Sequence, residues 1–289
     1  MKISIHYLKI HLAVLLFGFS GLFGKWVQQP AYIIVLGRLF FAVIGLGLVG
    51  IFKKGTLSKL KTLENNKVLI WPGILLAIHW VTFFEAIRLS SVGVGLLTFS
   101  VFPIFTSLIE PLFLHVAFRK KNMLMAVVAF VGILIMIGET NITTDYYLGA
   151  FVGLISGFTF ALLTVLNKKN LLKINAITLS FYQDLIAFIS LLPLIFLSEI
   201  QVGVFTVVQL AALGLIFTAL AHTLFIAGMK SVTATSASMT TFLEPIYGIA
   251  GAWLFFDEMP TLNMFGGGSL ILLAVWINFR EQGNAKAKS

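Results

Sequence analysis

Long apolar stretches alternate with short polar segments along the whole chain. A helix needs about 20 mostly apolar residues to cross a hydrocarbon core of about 30 Å. The apolar residues run continuously instead of alternating with polar ones, which favours helices over barrel strands. The sequence therefore predicts an all-α membrane protein with ten transmembrane helices: Leu8–Trp26, Ala31–Ile51, Leu69–Ile87, Val92–Val116, Met123–Gly138, Tyr147–Leu166, Ala176–Leu197, Val207–Met229, Ala234–Phe256 and Leu262–Phe279.

The composition excludes a soluble protein. Of the 289 residues, 59% are hydrophobic and only 11% are charged, and the mean hydropathy is +1.01. Soluble domains have about 45–50% apolar and about 25% charged residues, so lipid must be the solvent for most of this chain. The chain has no cysteine, which excludes disulfides and cysteine-ligated metals.

The net charge of +9 indicates membrane orientation and not nucleic-acid binding, because the basic residues lie in short segments between apolar stretches. If both termini are cytoplasmic, 17 of the 20 basic residues fall on the cytoplasmic side. The acidic residues predicted outside are Glu139, Asp145, Glu199, Asp257 and Glu258. A cleaved signal peptide is the alternative for the first stretch, which has no clear small-x-small cleavage site.

The chain repeats itself weakly. Phe17-Gly-Phe-Ser in span 1 has a counterpart in Ser156-Gly-Phe-Thr in span 6, and Pro103 in span 4 matches Pro245 in span 9. Five spans per half is an odd number, so the halves lie in opposite orientations, and such inverted repeats hold a substrate near the midplane. We expect a first repeat at 1–140, a second at 141–280 and a cytoplasmic tail at 281–289.

These motifs identify the family that the chain resembles over nearly its full length. Residues 218–237, followed by Phe242-Leu-Glu-Pro-Ile-Tyr-Gly and Asp257-Glu-Met-Pro, resemble the EamA branch of the drug/metabolite transporter superfamily, ten-helix bacterial carriers. The acidic residue that the family carries after span 4 is missing, and His222 stands where tyrosine is more common. The resemblance implies a transporter fold in which spans 1, 3, 4, 6, 8 and 9 line a central cavity.

Glu244 is the first candidate for the transport chemistry. It lies ten residues into span 9, about 15 Å deep, and shares one helix face with Thr240 and Tyr247. A carboxyl group at this depth can exchange a proton as access alternates, and an ionisable group inside the membrane is a functional candidate by default. The alternative is a structural glutamate locked to His79 or His222.

Two aromatic and imidazole clusters come next. His79, Trp80 and Phe83 share one side of span 3, and His222 with Thr218 occupies the corresponding span 8. Aromatic faces bind flat or cationic molecules, and histidine binds a carboxylate or carries a proton. The further substrate-binding candidates, in the paired motifs of spans 1 and 6, are Ser20 and Thr159. Neither histidine has a second ligand at helical spacing, so no metal and no cofactor are expected.

Three further ionisable residues have predicted structural roles. Arg38 in span 2 and Asp184 in span 7 fall near corresponding places in the repeats, and we expect them to balance charge at the edge of the bundle. Their estimated depths differ by about 8 Å, so direct pairing is not assured. Glu110 lies near the cytoplasmic end of span 4 and is predicted to be a gate or an anchor.

The sequence thus predicts a secondary transporter in the bacterial cytoplasmic membrane, moving a small organic metabolite by alternating access. The resemblance implies export of amino acids or related compounds, and proton coupling through Glu244, His79 or His222 is a hypothesis. The alternatives are a passive channel and a membrane-embedded enzyme that acts on a lipid. The sequence carries none of the hydrolase, metalloprotease or nucleotide-binding motifs that an enzyme would suggest. The expected partners are a small-molecule substrate and the lipid bilayer, and no nucleic acid.

Overall fold

The computed structural model describes residues 5–53, 57, 67–137, 144–197, 202–257 and 259–286. Every regular element in these ranges is helical, as the apolar pattern predicts. The first half of the chain contains α1 (Ile5–Ser20), α2 (Phe23–Trp26), α3 (Ala31–Phe52), α4 (Lys67–Leu89), α5 (Val92–Phe99), α6 (Phe102–Leu114) and α7 (Lys120–Ile137).

The second half contains α8 (Thr144–Asn170), α9 (Ala176–Leu191), α10 (Val204–Gly214), α11 (Ala221–Gly228), α12 (Ala234–Thr240), α13 (Glu244–Phe256) and α14 (Leu262–Lys286). A π-helix, Leu215–Leu220, joins α10 to α11, and a 3₁₀ turn, Thr241–Leu243, joins α12 to α13. Another 3₁₀ segment, Leu192–Leu197, extends α9. These irregular turns place backbone groups and side chains inside the bundle at the site described below.

Six helical segments in the described ranges are long and apolar enough to cross a membrane: Ile5–Trp26, Ala31–Phe52, Val68–Leu89, Asp145–Asn170, Ala176–Phe196 and Val204–Ser231. Phe102–Leu114 and Phe265–Ile277 are shorter apolar helices. The count of ten spans and the orientation of the termini stay predictions. Glu139, Glu199 and Glu258, predicted to face outside, lie outside the described residues, as do parts of the Lys-rich connector at 52–68, the junction between the predicted repeats and residues 287–289.

Each half of the chain contains one interrupted helix, and the two interruptions are alike. The α5–α6 rod is interrupted just before Pro103, and the α12–α13 rod just before Pro245; each proline lies in the first turn of the new helix, where its missing N–H is tolerated. The two interrupted helices end at His115 and Asp257, which both adopt the left-handed backbone conformation, with φ of 52° and 55°. Each pair of matching residues is separated by 142 positions.

The packing partners also correspond between the halves. Helix α4 packs against α8, and α1 packs against α11; α6 packs against α8, and α13 packs against α1. Helix α3 packs against α9, and α7 packs against α14. Each of these contacts thus has a counterpart at the corresponding place in the other half, or joins two corresponding helices.

Glycines allow the two broken rods to approach their neighbours closely. A Cβ on Gly157 of α8 would lie 2.8 Å from the Phe99 carbonyl oxygen at the first break, and one on Gly18 of α1 would lie 2.9 Å from the Glu244 carbonyl oxygen at the second. Close backbone approach through small residues is a main source of helix association in lipid, where there is no hydrophobic drive between helices. Gly157 therefore lets α8 pack closely against the junction of α5 and α6.

We expect Gly157→Ala to destabilise the protein by about 1–3 kcal/mol, the usual cost of overpacking, because the Phe99 carbonyl belongs to the backbone and cannot rotate away. Gly268→Ala in α14 is the matched control, since a Cβ there meets nothing within 4 Å. Thermal unfolding of the detergent-solubilised protein measures both. Equal unfolding temperatures for the two variants would contradict the close-packing interpretation.

Candidate functional site

A narrow cavity lies between the two halves of the bundle. Its empty space is about 360 Å³, but the centre of a water-sized sphere can move in only about 20 Å³, which is room for about one water molecule. The lining residues are Phe17 and Ser20 of α1, Arg38 of α3, His79, Trp80 and Phe83 of α4, Phe99 of α5, Phe160 of α8, His222 of α11 and Glu244 of α13. The cavity combines aromatic rings with ionisable groups.

The structure brings together six of the predicted binding residues on the cavity wall: Ser20, His79, Trp80, Phe83, His222 and Glu244. Thr218 lies behind the wall, where it contacts Arg38. Thr159 and Thr240 are not among the lining residues, and their hydroxyls donate to carbonyls of their own helices. Tyr247 is only partly buried and also lies off the wall.

Sequence reasoning missed the cavity positions of three phenylalanines, Phe17, Phe99 and Phe160. The signal for two of them was present, because Phe17 begins the motif of span 1 and Phe160 directly follows the motif of span 6. Phe99 immediately precedes the α5–α6 break, as Glu244 immediately follows the α12–α13 break. Residues at both helix interruptions thus lie on the cavity wall.

Arg38 lies inside the bundle and not at the edge where it was expected, whereas its role in charge balance stays a prediction. Its side chain is 1% exposed. Nε donates to the Thr218 hydroxyl at 2.8 Å, and Nη2 donates to the Phe217 carbonyl at 3.2 Å. The guanidinium also lies 3.9 Å from the centre of the Trp80 ring, a cation–π contact that is strongest where water is excluded.

The π-helix Leu215–Leu220 makes this arrangement possible. π-Helical turns are rare and frequently occur at functional sites. Here the turn lets the Thr218 hydroxyl donate to the carbonyl of Leu213, five residues back, while it accepts from Arg38. The unsatisfied carbonyls and the hydroxyl of this turn provide what a buried guanidinium requires.

Asp184 is likewise fully buried and not at the bundle edge. Its Oδ1 lies 3.7 Å from Nδ1 of His222, too far for a hydrogen bond but close enough for strong attraction if the imidazole is charged. Neither carboxylate oxygen of Asp184 and neither ring nitrogen of His222 has a hydrogen-bond partner among the described residues. Arg38 is the other charged group that acts on Asp184, although no Arg38–Asp184 ion pair is formed within 4 Å.

His79 is fixed by the opposite half of the chain. Its Nδ1 lies 2.8 Å from the Ser156 hydroxyl and 3.2 Å from the Ser156 carbonyl oxygen, and the same hydroxyl donates to the His79 carbonyl at 3.0 Å. A carbonyl oxygen only accepts, so Nδ1 carries the hydrogen and Nε2 of the neutral ring carries the lone pair. His79 therefore presents an acceptor and not a donor as its second nitrogen.

Glu244 has a free carboxyl oxygen in the cavity wall. The residue is 3% exposed, and no described residue donates a hydrogen bond to its Oε1. The hydrogen bonds of His79 go to Ser156, and the close contact of His222 is with Asp184. The structural alternative, a glutamate locked to one of these histidines, is not the arrangement that the structure describes.

Glu110 binds the backbone of the other half. Its two carboxylate oxygens accept from the N–H groups of Ala234 and Thr235, at 2.7 and 2.8 Å. These are unpaired donors of the first turn of α12, and a carboxylate is favoured there by the helix dipole. Nearby, Lys168 Nζ donates to the Met229 carbonyl at 2.6 Å, so opposite charges hold both ends of the 229–235 connection.

The two ends of the bundle differ in openness. At one end, where α2 joins α3 and α4 joins α5, a vestibule offers about 1020 Å³ to the centre of a water-sized sphere, and Lys25, Glu85 and Arg88 line it. At the other end, the space around Glu110, Arg119 and Thr233 offers about 140 Å³. The Glu110 end is therefore the more tightly closed of the two.

The family and the relatives agree with the resemblance seen in the sequence. The family model of the EamA-like transporter family matches residues 4–138 and, a second time, residues 147–280. The chain therefore belongs to the EamA-like transporter family and is a multi-pass integral membrane protein, which in bacteria lies in the inner membrane.

Two curated relatives and one solved structure are similar over most of the chain. An uncharacterized transporter, YxxF, of Bacillus subtilis is 22% identical over 96% of this chain and 91% of its own length. An S-adenosylmethionine uptake transporter of Rickettsia felis is 24% identical over 82% of this chain and 79% of its own length. A crystal structure with 14% identity superimposes with a TM-score of 0.77 over 95% of this chain and 96% of its own, which supports the fold.

Thr218→Val should destabilise the protein by about 1–3 kcal/mol, because it removes an acceptor from the buried Arg38 guanidinium. Thr218→Ser keeps the hydroxyl and should unfold close to the wild-type temperature. Thermal unfolding of the solubilised protein measures both variants. An unfolding temperature of the valine variant equal to that of the serine variant would show that this bond contributes nothing.

Proposed function

We propose that this chain is a secondary transporter that moves small organic metabolites, such as amino acids and related compounds, across the cytoplasmic membrane by alternating access. The observation that carries the proposal is the narrow cavity between the two halves, walled by aromatic rings and by Arg38, His79, His222 and Glu244. A site of this composition binds a small amphipathic solute. Family membership and the transporter names of the relatives support the same function.

We further propose that the halves, 1–140 and 141–280, form an inverted repeat of five spans each, with both termini in the cytoplasm. The repeated helix break at Pro103 and Pro245, the matching packing partners and the two matches to one family description support the repeat. The distribution of lysine and arginine supports the orientation. In such a protein, one half rocks against the other and exposes the site to each side in turn.

A carrier explains the geometry better than a channel does. A channel requires a continuous hydrated path, whereas this cavity has room for about one water molecule and the wide vestibule is confined to one end. Glu244, His79 and His222 are the proposed proton carriers, because they are the titratable groups on the cavity wall among the described residues. Proton exchange at any of them would couple transport to the pH gradient.

Transport by purified protein in proteoliposomes tests the function. We expect saturable flux of at least one member of a panel of amino acids, amines and S-adenosylmethionine, and accumulation against its gradient when a pH gradient is imposed. Loading solutes inside or outside distinguishes export, which the sequence predicts, from the uptake named for the Rickettsia relatives. Flux that never saturates would indicate a pore, and failure of every solute to move would contradict the proposal.

Glu244→Gln should abolish the dependence of this transport on the pH gradient, because the amide cannot take up a proton in the working pH range. Glu85→Gln is the matched control, since Glu85 pairs with Arg88 of its own helix, at 2.5 Å, away from the cavity wall. The ratio of accumulation with and without the gradient is the measurement. Unchanged coupling in Glu244→Gln would remove Glu244 from the proton path.

We also propose that Glu110 and Lys168 are a gate clamp that keeps the cytoplasmic end shut. The clamp joins α6 of the first half to α12 of the second, so it must be released when that end opens. The position equivalent to Glu110 in the second half, 142 residues later, is Ala252, which has no carboxylate. This difference would bias the resting protein towards opening at the vestibule.

Glu110→Gln should open the cytoplasmic end more often, because the amide has one acceptor oxygen where the carboxylate uses two, one for each N–H group of α12. The chain has no cysteine, so Ser107→Cys beside Glu110 and Ser91→Cys in the vestibule can serve as single reporters in permeabilised vesicles. Thiol labelling should become faster at position 107 and slower at position 91. Labelling rates that match those in the Glu85→Gln background would argue against the clamp.

A further inference from the structure

We infer that the cavity selects organic monocations with a flat apolar body. The inference rests on the proposed transport function and narrows its substrate to one charge class. Three properties of the site carry it: the balance of buried charges, the acceptor atoms on the cavity wall, and the aromatic rings. Each is a property of described residues in or directly behind the cavity wall.

With the histidines neutral and both carboxyl groups ionised, the buried charges around the cavity leave one negative charge uncompensated. Arg38 is the cation, and Asp184 and Glu244 are the carboxyl groups; all three are at most 3% exposed. Arg38 and Asp184 interact electrostatically and offset each other, whereas no described residue donates a hydrogen bond to Oε1 of Glu244. A charge left unpaired at low dielectric is costly, so ionised Glu244 requires a cation that the protein itself does not provide.

Several polar atoms on the cavity wall are acceptors suited to a cation. Glu244 presents a carboxyl oxygen, and the neutral His79 presents the lone pair of Nε2, because its Nδ1 hydrogen is held by Ser156. The Ser20 hydroxyl donates to the Phe17 carbonyl at 2.7 Å, which leaves its oxygen as an acceptor. Arg38 and His222 carry donors on the wall. Arg38 gives two of its five N–H groups to Thr218 and the Phe217 carbonyl and lies over the Trp80 ring. Neither ring nitrogen of His222 has a hydrogen-bond partner among the described residues.

The aromatic rings favour the same class. Phe160 lies 5.5 Å from Phe99 and 6.4 Å from Phe17, measured between ring centres, and Phe83 lies 5.5 Å from Phe99. The electron-rich faces of such rings attract cations, and most strongly where water is excluded. Since the Arg38 guanidinium already lies over the Trp80 ring, the four lining phenylalanines are the rings left for a ligand.

Proton and substrate would then compete for Glu244. The other titratable or charged groups facing this space are Arg38 from α3, His79 from α4, Asp184 from α9 and His222 from α11; the described lining residues of α1, α5 and α8 contribute none. Protonation of Glu244 removes the negative charge, and a bound monocation neutralises it. The two events exclude each other, which is the requirement for exchange of a cation against a proton.

Four pyridine derivatives separate the charge classes on one ring: 1-methylnicotinamide is a permanent cation, nicotinamide is neutral, nicotinate is an anion and N-methylnicotinate is a zwitterion. Binding to the full-length protein in lipid nanodiscs is measured by calorimetry. We expect the cation to bind tighter than the neutral and anionic probes by about tenfold or more, as expected for a desolvated charge pair, with the zwitterion weaker than the cation. Acidification should weaken binding of the cation.

Glu244→Gln should reduce the preference for the cation to less than about threefold, whereas Glu85→Gln should preserve it. Equal binding of cation and neutral probe, tighter binding of the anion or zwitterion, or no binding of the cation at all would overturn the inference. So would an unchanged cation preference in a folded Glu244→Gln variant, with folding checked by thermal unfolding. If the proteoliposomes still transport a solute, these outcomes contradict only the cation selectivity and not the proposed transport function. Absence of all transport would contradict the transport function itself.

Discussion

A guanidinium buried among apolar helices is the constraint on which the centre of this structure depends. Charge inside a bilayer is expensive, so Arg38 is found where the protein can surround it with acceptors and an aromatic face. The π-helix of the second half supplies a hydroxyl and a carbonyl, and α4 supplies the Trp80 ring. Because these partners come from both halves of the chain, the positive charge fixes how the halves meet, and Asp184 balances it from α9.

The interrupted helices follow from the same need for polar groups at depth. Regular helices satisfy all their backbone groups and present none to a ligand, whereas breaks leave some free, and a membrane protein tolerates these only inside the bundle. Breaks before Pro103 and Pro245 put Phe99 and Glu244 on the cavity wall. The halves share this geometry but differ in chemistry: a carboxyl group follows the second break, and the N-terminus of α12 has a carboxylate cap from Glu110.

Much of this fold was predictable from sequence, because lipid imposes a period and a length on apolar stretches. The helix Ala234–Phe256 was predicted within its observed bounds, apart from the 3₁₀ turn inside it. Depth along a helix axis was estimated from residue counts, and the central depths expected for His79 and Glu244 stay predictions, although both residues lie on the cavity wall. The rotation of a helix about its own axis was harder to predict from the sequence. Arg38 was assigned to the bundle edge, and Tyr247 was grouped with Glu244 on a shared face. The π-helix has no sequence signature, and the partner of Glu110 lies 124 residues away, beyond any local pattern.

The narrow cavity itself implies an order of events. With room for about one water molecule, the wall around Glu244 provides little solvation for a free carboxylate, so closure with an empty, ionised site is the costly state. A cation or a proton on Glu244 removes that cost, and either would let the bundle close and reopen on the other side. Closure of the bundle would therefore depend on whether a cation or a proton is bound, through the electrostatic cost of an ionised Glu244 alone. No separate conformational coupling between the site and distant gates would be needed. A carboxyl group that no protein donor satisfies is, in this view, the origin of the coupling and not a defect in the packing.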